Sequence, residues 1–153
     1  MKKIIFFFLL LNYGLLMAQN NPEEQAIRAT IDQLFDGMRA GDSTMVRSTF
    51  HTSARLQSAF YDKEGQSVLK MGSIDRFVGA VGTPHDDVWD EKIWSFKVHI
   101  DGNLATTWTD YTFFLGEKMS HCGVNAFHLF KSEEGWKITQ ITDTRRKENC
   151  QVD

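Results

Sequence analysis

From Trp89 onward the chain alternates aromatic and β-branched residues with polar ones, and short turn sequences cut the run at regular intervals. A period of two is the pattern of strands that bury one face, so an all-helical fold is excluded. The turns are Asp101-Gly102-Asn103, Gly116-Glu117 and Glu133-Glu134-Gly135. They predict four strands, at about 90–100, 104–115, 118–131 and 136–146, and turns this short make neighbours antiparallel. A meander with one apolar face must be covered by another layer.

The first half supplies that layer. Asn21-Pro22-Glu23-Glu24 has the order of a helix start, with Asn21 as cap, Pro22 at the first helical position and Glu24 able to reach back. Ile27, Ile31, Leu34, Phe35 and Met38 follow at helical spacing until Gly41. Asp42 caps a shorter helix with Met45, Val46, Thr49 and Phe50 inward and His51 at its end. Segments 54–60 and 66–71 read as a hairpin around Asp62-Lys63-Glu64-Gly65, and Ser73 caps a third helix bearing Ile74, Phe77, Val78 and Val81. The expected fold is α+β: three helices packed on a curved antiparallel sheet.

At 153 residues the chain suits one domain with one core. A net charge of -3 without a basic stripe argues against a nucleic-acid partner. Residues 1–18 are read apart from the domain at 19–153. Lys2-Lys3, the apolar run from Ile4 to Met17 and the small Ala18 have the order of a cleavable export signal. The run falls short of the roughly 20 residues of a membrane span. The expected destination is the periplasm or the medium, with no membrane attachment after cleavage. In an exported chain the two cysteines, Cys122 and Cys150, read most simply as one disulfide, the alternative being two separate thiols.

A two-residue turn at Gly116-Glu117 pairs Leu115 with Lys118, and an unbroken ladder then sets Trp108 opposite Asn125. A three-residue loop at 101–103 sets Trp108 opposite Phe96. One face then carries Trp94, Phe96, Val98, Ile100, Leu104, Trp108, Asp110, His121, Asn125, Phe127, Leu129, Trp136 and Ile138. Richer in large apolar groups, it is expected to meet the helices. The other face carries Thr107, Thr109, Tyr111, Phe113, Cys122, Val124, His128 and Phe130. Tyr111, Phe113, Val124 and Phe130 there would form an apolar patch, read as a homodimer surface. A slip of one residue exchanges the two sets.

The segments Asp110-Tyr111-Thr112-Phe113 and Ser120-His121-Cys122-Gly123-Val124-Asn125-Ala126-Phe127 carry a resemblance that Gly135-Trp136-Lys137-Ile138 and Thr144-Arg145-Arg146-Lys147-Glu148-Asn149-Cys150 extend. Phe50-His51 and Ala54-Arg55-Leu56 add to it. Over residues 22–150 the chain resembles the nuclear transport factor 2-like superfamily, in its branch named Putative lumazine-binding or SnoaL-like. The resemblance implies an α+β cone with a pocket between sheet and helices. That superfamily holds isomerases, dehydratases, cyclases and non-catalytic binders, so it implies no single activity.

Asp110 and His121 are the sharpest candidates for catalysis. With Asp110 opposite Gly123, His121 is its diagonal neighbour, and a carboxylate beside an imidazole suits proton transfer. The alternative is a structural polar pair. His51 is placed to line the pocket from the second helix. Asn125 and Trp108 are placed to orient and cover a planar ligand, and Arg55 to meet a ligand anion or solvent. No P-loop, nucleophile elbow, zinc spacing or dinucleotide fingerprint occurs, so no metal or cofactor is expected. Three readings remain: a binder of a small, partly aromatic molecule, a cofactor-free proton-transfer enzyme, and a dimeric accessory domain.

Overall fold

A computed structural model describes residues 21–152. The export signal expected at 1–18 lies outside the described residues. Helix α1 (Pro22–Ala40) starts where the Asn21 side chain accepts from the Glu23 N–H, and it ends at Gly41 with φ 65. Its stripe of Ile27, Ile31, Leu34, Phe35 and Met38 is buried. Asp42 caps α2 (Ser43–Thr49), accepting from the Thr44 and Met45 N–H groups. His51 does not end that helix. It lies in strand β1 (Phe50–Tyr61), which forms the expected hairpin with β2 (Ser67–Gly72). Ser73 caps α3 (Ile74–Gly82) by accepting from the Arg76 N–H.

Strands β3 (Trp89–Ile93), β4 (Lys97–Asp101), β5 (Leu104–Leu115), β6 (Lys118–Ser132) and β7 (Gly135–Thr144) complete a curved, unclosed sheet of order β2-β1-β7-β6-β5-β3, with β4 also on β5. All pairs are antiparallel except β1 with β7. The helices cover one face, where Phe35 meets Phe127 edge-on at 6.3 Å. At the far end Glu23 of α1 accepts from Trp136 Nε1 at 2.9 Å and pairs with Lys131, fastening the helix start to the β6–β7 hairpin.

Extra residues decide which side chains face the helices. Leu115 pairs with Lys118 as expected, but Phe114 then pairs with Met119 and Phe113 with His121, so Ser120 is a bulge. Beyond it Trp108 opposes Ala126 and Asn125 opposes Thr109. The turn between β4 and β5 also has two residues, not three, because Asp101 pairs with Leu104. The expected inward face is therefore right for Phe127, Leu129 and Asn125 on β6 and reversed on β5. Ala105, Thr107, Thr109 and Tyr111 are buried, whereas Trp108 is 50% exposed. The expected dimer patch is not formed, since Tyr111 is only 2% exposed and Phe113 packs against the core.

The expected strand at 90–100 is two strands. Ile93 pairs with Tyr111 and Lys97 with Trp108, which places one extra residue between them. At the break the Trp94 N–H donates to the Asp110 carbonyl at 2.9 Å. Odd-numbered Trp89 and Ile93 of β3 and even-numbered Phe96, Val98 and Ile100 all reach the core as a result. Trp94 turns outward and donates from Nε1 to Thr112 Oγ1 at 2.9 Å. A third shift, at Thr139 between β6 and β7, brings Ile141 and Asp143 to the inner side.

Candidate functional site

Between the sheet's inner face and helices α1 and α3 lies a cavity of about 440 Å3. Leu34, Phe35 and Met38 from α1, Phe77 from α3, and Phe127 and Ile141 from the sheet make its apolar wall. Lys70 and Arg76 also line it, and Glu91, Tyr111, His121, Asn125, Asp143 and Arg145 are on its polar wall. Each reaches the cavity because of register: Glu91 by the break in the edge strand, Tyr111 by the Ser120 bulge, Asp143 by the Thr139 bulge. Bulges re-aim side chains in this way near sites.

Glu91 is the centre of the polar wall. Its Oε1 accepts from Asn125 Nδ2 at 2.6 Å. Burial is the main cause that pushes its pKa up to about 7, and the Asp143 carboxylate adds to the rise. The Asn125 bond and the Arg145 charge oppose it. At neutral pH Glu91 is therefore close to half protonated, which suits a group that donates or accepts a proton.

Asp143 is held differently. Ser58 Oγ donates to its Oδ1 at 2.5 Å, and Arg145 Nε pairs with its Oδ2 at 2.6 Å. The Tyr111 hydroxyl donates to the Thr144 carbonyl at 2.9 Å and stands 3.3 Å from Asp143 Oδ2. Burial, then the Glu91 and Asp143 charges, keep that phenol protonated by raising its pKa. The His121 ring meets Tyr111 edge-on at 5.8 Å and lies 5.3 Å from Phe113. Burial, helped by the Arg145 charge, lowers its pKa to about 4, so it is a neutral imidazole at pH 7. Among the described residues no group of three or more His, Cys, Asp or Glu side chains could hold a metal ion.

Residues 22–142 match the model of the family described as Putative lumazine-binding. The chain belongs to that family. No curated protein sequence matches the chain. Among solved structures, a protein of unknown function from Mycobacterium tuberculosis aligns with a TM-score of 0.67 at 14% identity, over 82% of this chain and 72% of that one. A nuclear transport factor 2-like protein with a cystatin-like fold from Novosphingobium aromaticivorans gives 0.66 at 12%, over 84% of each chain. A protein titled a putative dehydratase of the same fold family, from Streptomyces avermitilis, gives 0.63 at 10%, over 82% and 96%. At such identities these likenesses establish the fold alone.

Within this Putative lumazine-binding domain, His121 and Asn125 of the six expected site residues line the cavity. Asp110 does not. The β5 reversal turns it to the outer side, where Ser95 Oγ donates to its Oδ2 at 2.6 Å and accepts from its N–H at 3.0 Å. Trp108 is reversed with it. His51 lies against Phe130 at 6.0 Å, and Arg55 is exposed on β1; neither lines the cavity. Glu91, Tyr111, Asp143 and Arg145, like Lys70 and Arg76, are cavity residues that sequence reasoning missed. The only signal for Glu91 was a charge between Trp89 and Ile93 at period two.

Cys122 and Cys150 are joined, with Cα atoms 5.6 Å apart. Cys122 pairs with Arg146. Beyond it the tail turns back at Asn149, whose φ of 54 is left-handed.

Proposed function

We propose that this chain is an exported domain that binds a small, partly aromatic molecule in the 440 Å3 cavity. The observation that carries the reading is the arrangement of the two walls. Phe35, Phe77 and Phe127 offer aromatic surface, and a carboxyl titrating at about 7, fixed by Asn125, faces the same space. Membership of a family named for ligand binding supports it. Export is supported by the N-terminal order of charge, apolar run and small residue, and the disulfide suits an oxidising compartment. A homodimer through the outer sheet face is supported only by the exposure of Leu104, Trp108 and Phe130; light scattering tests it.

The test is thermal unfolding against a panel of mono- and bicyclic aromatic compounds, with native mass spectrometry of freshly purified protein. A binder present at 100 times its Kd stabilises by about 2.7 kcal/mol, and Phe127→Ala or Asn125→Ala weakens it. A panel without any stabiliser, and protein free of adducts, would refute the reading.

The Glu91 pKa favours a second reading, a proton-transfer enzyme without cofactor. In that case turnover of a carbonyl compound rises through pH 7 as Glu91 ionises, and Glu91→Gln abolishes it while binding persists.

A further inference from the structure

A second cavity, of about 490 Å3, adjoins the first. Ser58, Lys70, Met71, Gly72, His121 and Arg145 line both, so the two are contiguous. The charge of the two differs. The outer one is lined by Lys70, Arg145, Arg146 and Lys147 together with His121, and by no carboxylate. The inner one carries both carboxylates, Glu91 and Asp143, beside Lys70, Arg76 and Arg145. Arg145 is paired with Asp143, but Lys70, Arg146 and Lys147 join no salt bridge among the described residues. In a chain of net charge -3, three unpaired cations at one mouth are a local feature, not an effect of composition.

The tail that carries two of these cations is fixed in place. Arg146 and Cys122 exchange backbone hydrogen bonds of 2.9 Å in both directions, and the disulfide closes four residues further on. A mouth lined by cations alone, leading to a chamber where carboxylates accompany the cations, favours an anionic group at the mouth over one seated deep inside.

We propose that the cavity takes an amphiphilic anion: a compact aromatic or apolar body seated inward, with one carboxylate, sulfonate or phosphate held by Lys70, Arg146 and Lys147. This rests on the inner cavity being a small-molecule site, and it adds the charge of the ligand.

The test uses two fluorescent probes with nearly the same ring system, anionic 8-anilinonaphthalene-1-sulfonate and neutral N-phenyl-1-naphthylamine. The anion should bind about tenfold tighter, and raising sodium chloride from about 0.1 to 0.5 M should remove most of that advantage. Lys70→Gln combined with Arg146→Gln and Lys147→Gln should weaken the anionic probe about tenfold and leave the neutral one within about twofold. All three side chains are exposed, so the fold is not at stake. Inorganic phosphate at matched ionic strength should displace the anionic probe only weakly. Equal affinities for the two probes, or a triple variant that leaves the anionic probe unchanged, would overturn the proposal while the binding cavity stands. Displacement by micromolar phosphate would overturn it too, by removing the apolar body from recognition. Failure of both probes to bind would defeat the cavity reading and this inference together.

Discussion

Asn125 on β6 donates to Glu91 on β3 at 2.6 Å although β5 lies between their strands. The bond spans the curve of the sheet and joins its edge to its centre. It also lowers a carboxyl pKa that burial raises. Carbon-13 NMR of the Glu91 carboxyl should show a midpoint near 7, and Asn125→Ala should move it further up. A midpoint in the ordinary range of about 4–5 would contradict the buried placement.

Stability should respond to Glu91 and His121 with opposite signs. The Glu91 carboxyl is pushed up to about 7 in the fold from its ordinary 4.5, so the folded state holds more protons between those pH values and loses stability as pH rises. Glu91→Gln removes that loss. Relative to wild type the variant should gain stability from pH 4.5 to 7, reaching on the order of 3 kcal/mol above pH 7. His121 is the reverse: its folded pKa of about 4 lies below 6.5, so stability falls as pH drops through that window. His121→Gln should therefore help most at pH 4. Urea melts of the three proteins from pH 4 to 8 check both signs.

Gly123 has no room for a side chain. A Cβ there would sit 1.8 Å from the Thr144 carbonyl oxygen, the acceptor for the Tyr111 hydroxyl, and 3.0 Å from the Tyr111 ring. Gly123→Ala should cost at least about 3 kcal/mol or displace the β7 end. Gly79→Ala is the control, since nothing lies within 4 Å of its added Cβ. A Gly123→Ala protein as stable as wild type would show that the close approach is not real.

The disulfide closes a separation of 28 residues. Chain entropy then gives it roughly 3–4 kcal/mol. Cys122→Ser with Cys150→Ser should lose about that much, and the unreduced protein should weigh two hydrogens less than the dithiol. Two alkylatable thiols in protein purified without reductant would count against the bond.

The helices, their caps and the hairpins were legible because each is a local matter. Asn21, Asp42 and Ser73 cap as their types predict, and the apolar stripe of α1 is the buried one. The sheet's faces were not, because a face depends on counting residues across pairs. On β5 the outer side holds Leu104 and Trp108 while the inner side holds Thr107 and Thr109, so hydrophobicity itself pointed the wrong way. Phe127 and Leu129 kept β6 correctly oriented, and His121 and Asn125 came with them. Asp110 was lost with β5, and Glu91 stayed hidden because nothing in Ile93-Trp94-Ser95-Phe96 announces a break.

The looped-out residues at 94–96, Ser120 and Thr139 make the cavity's composition a matter of register as much as of residue type. Were the chain to run straight through 94–96 at its present length, Glu91 would pair with Phe114 and face away from Asn125. At 10–14% identity to solved structures of this fold, a shared cavity residue has to be recognised by where it points.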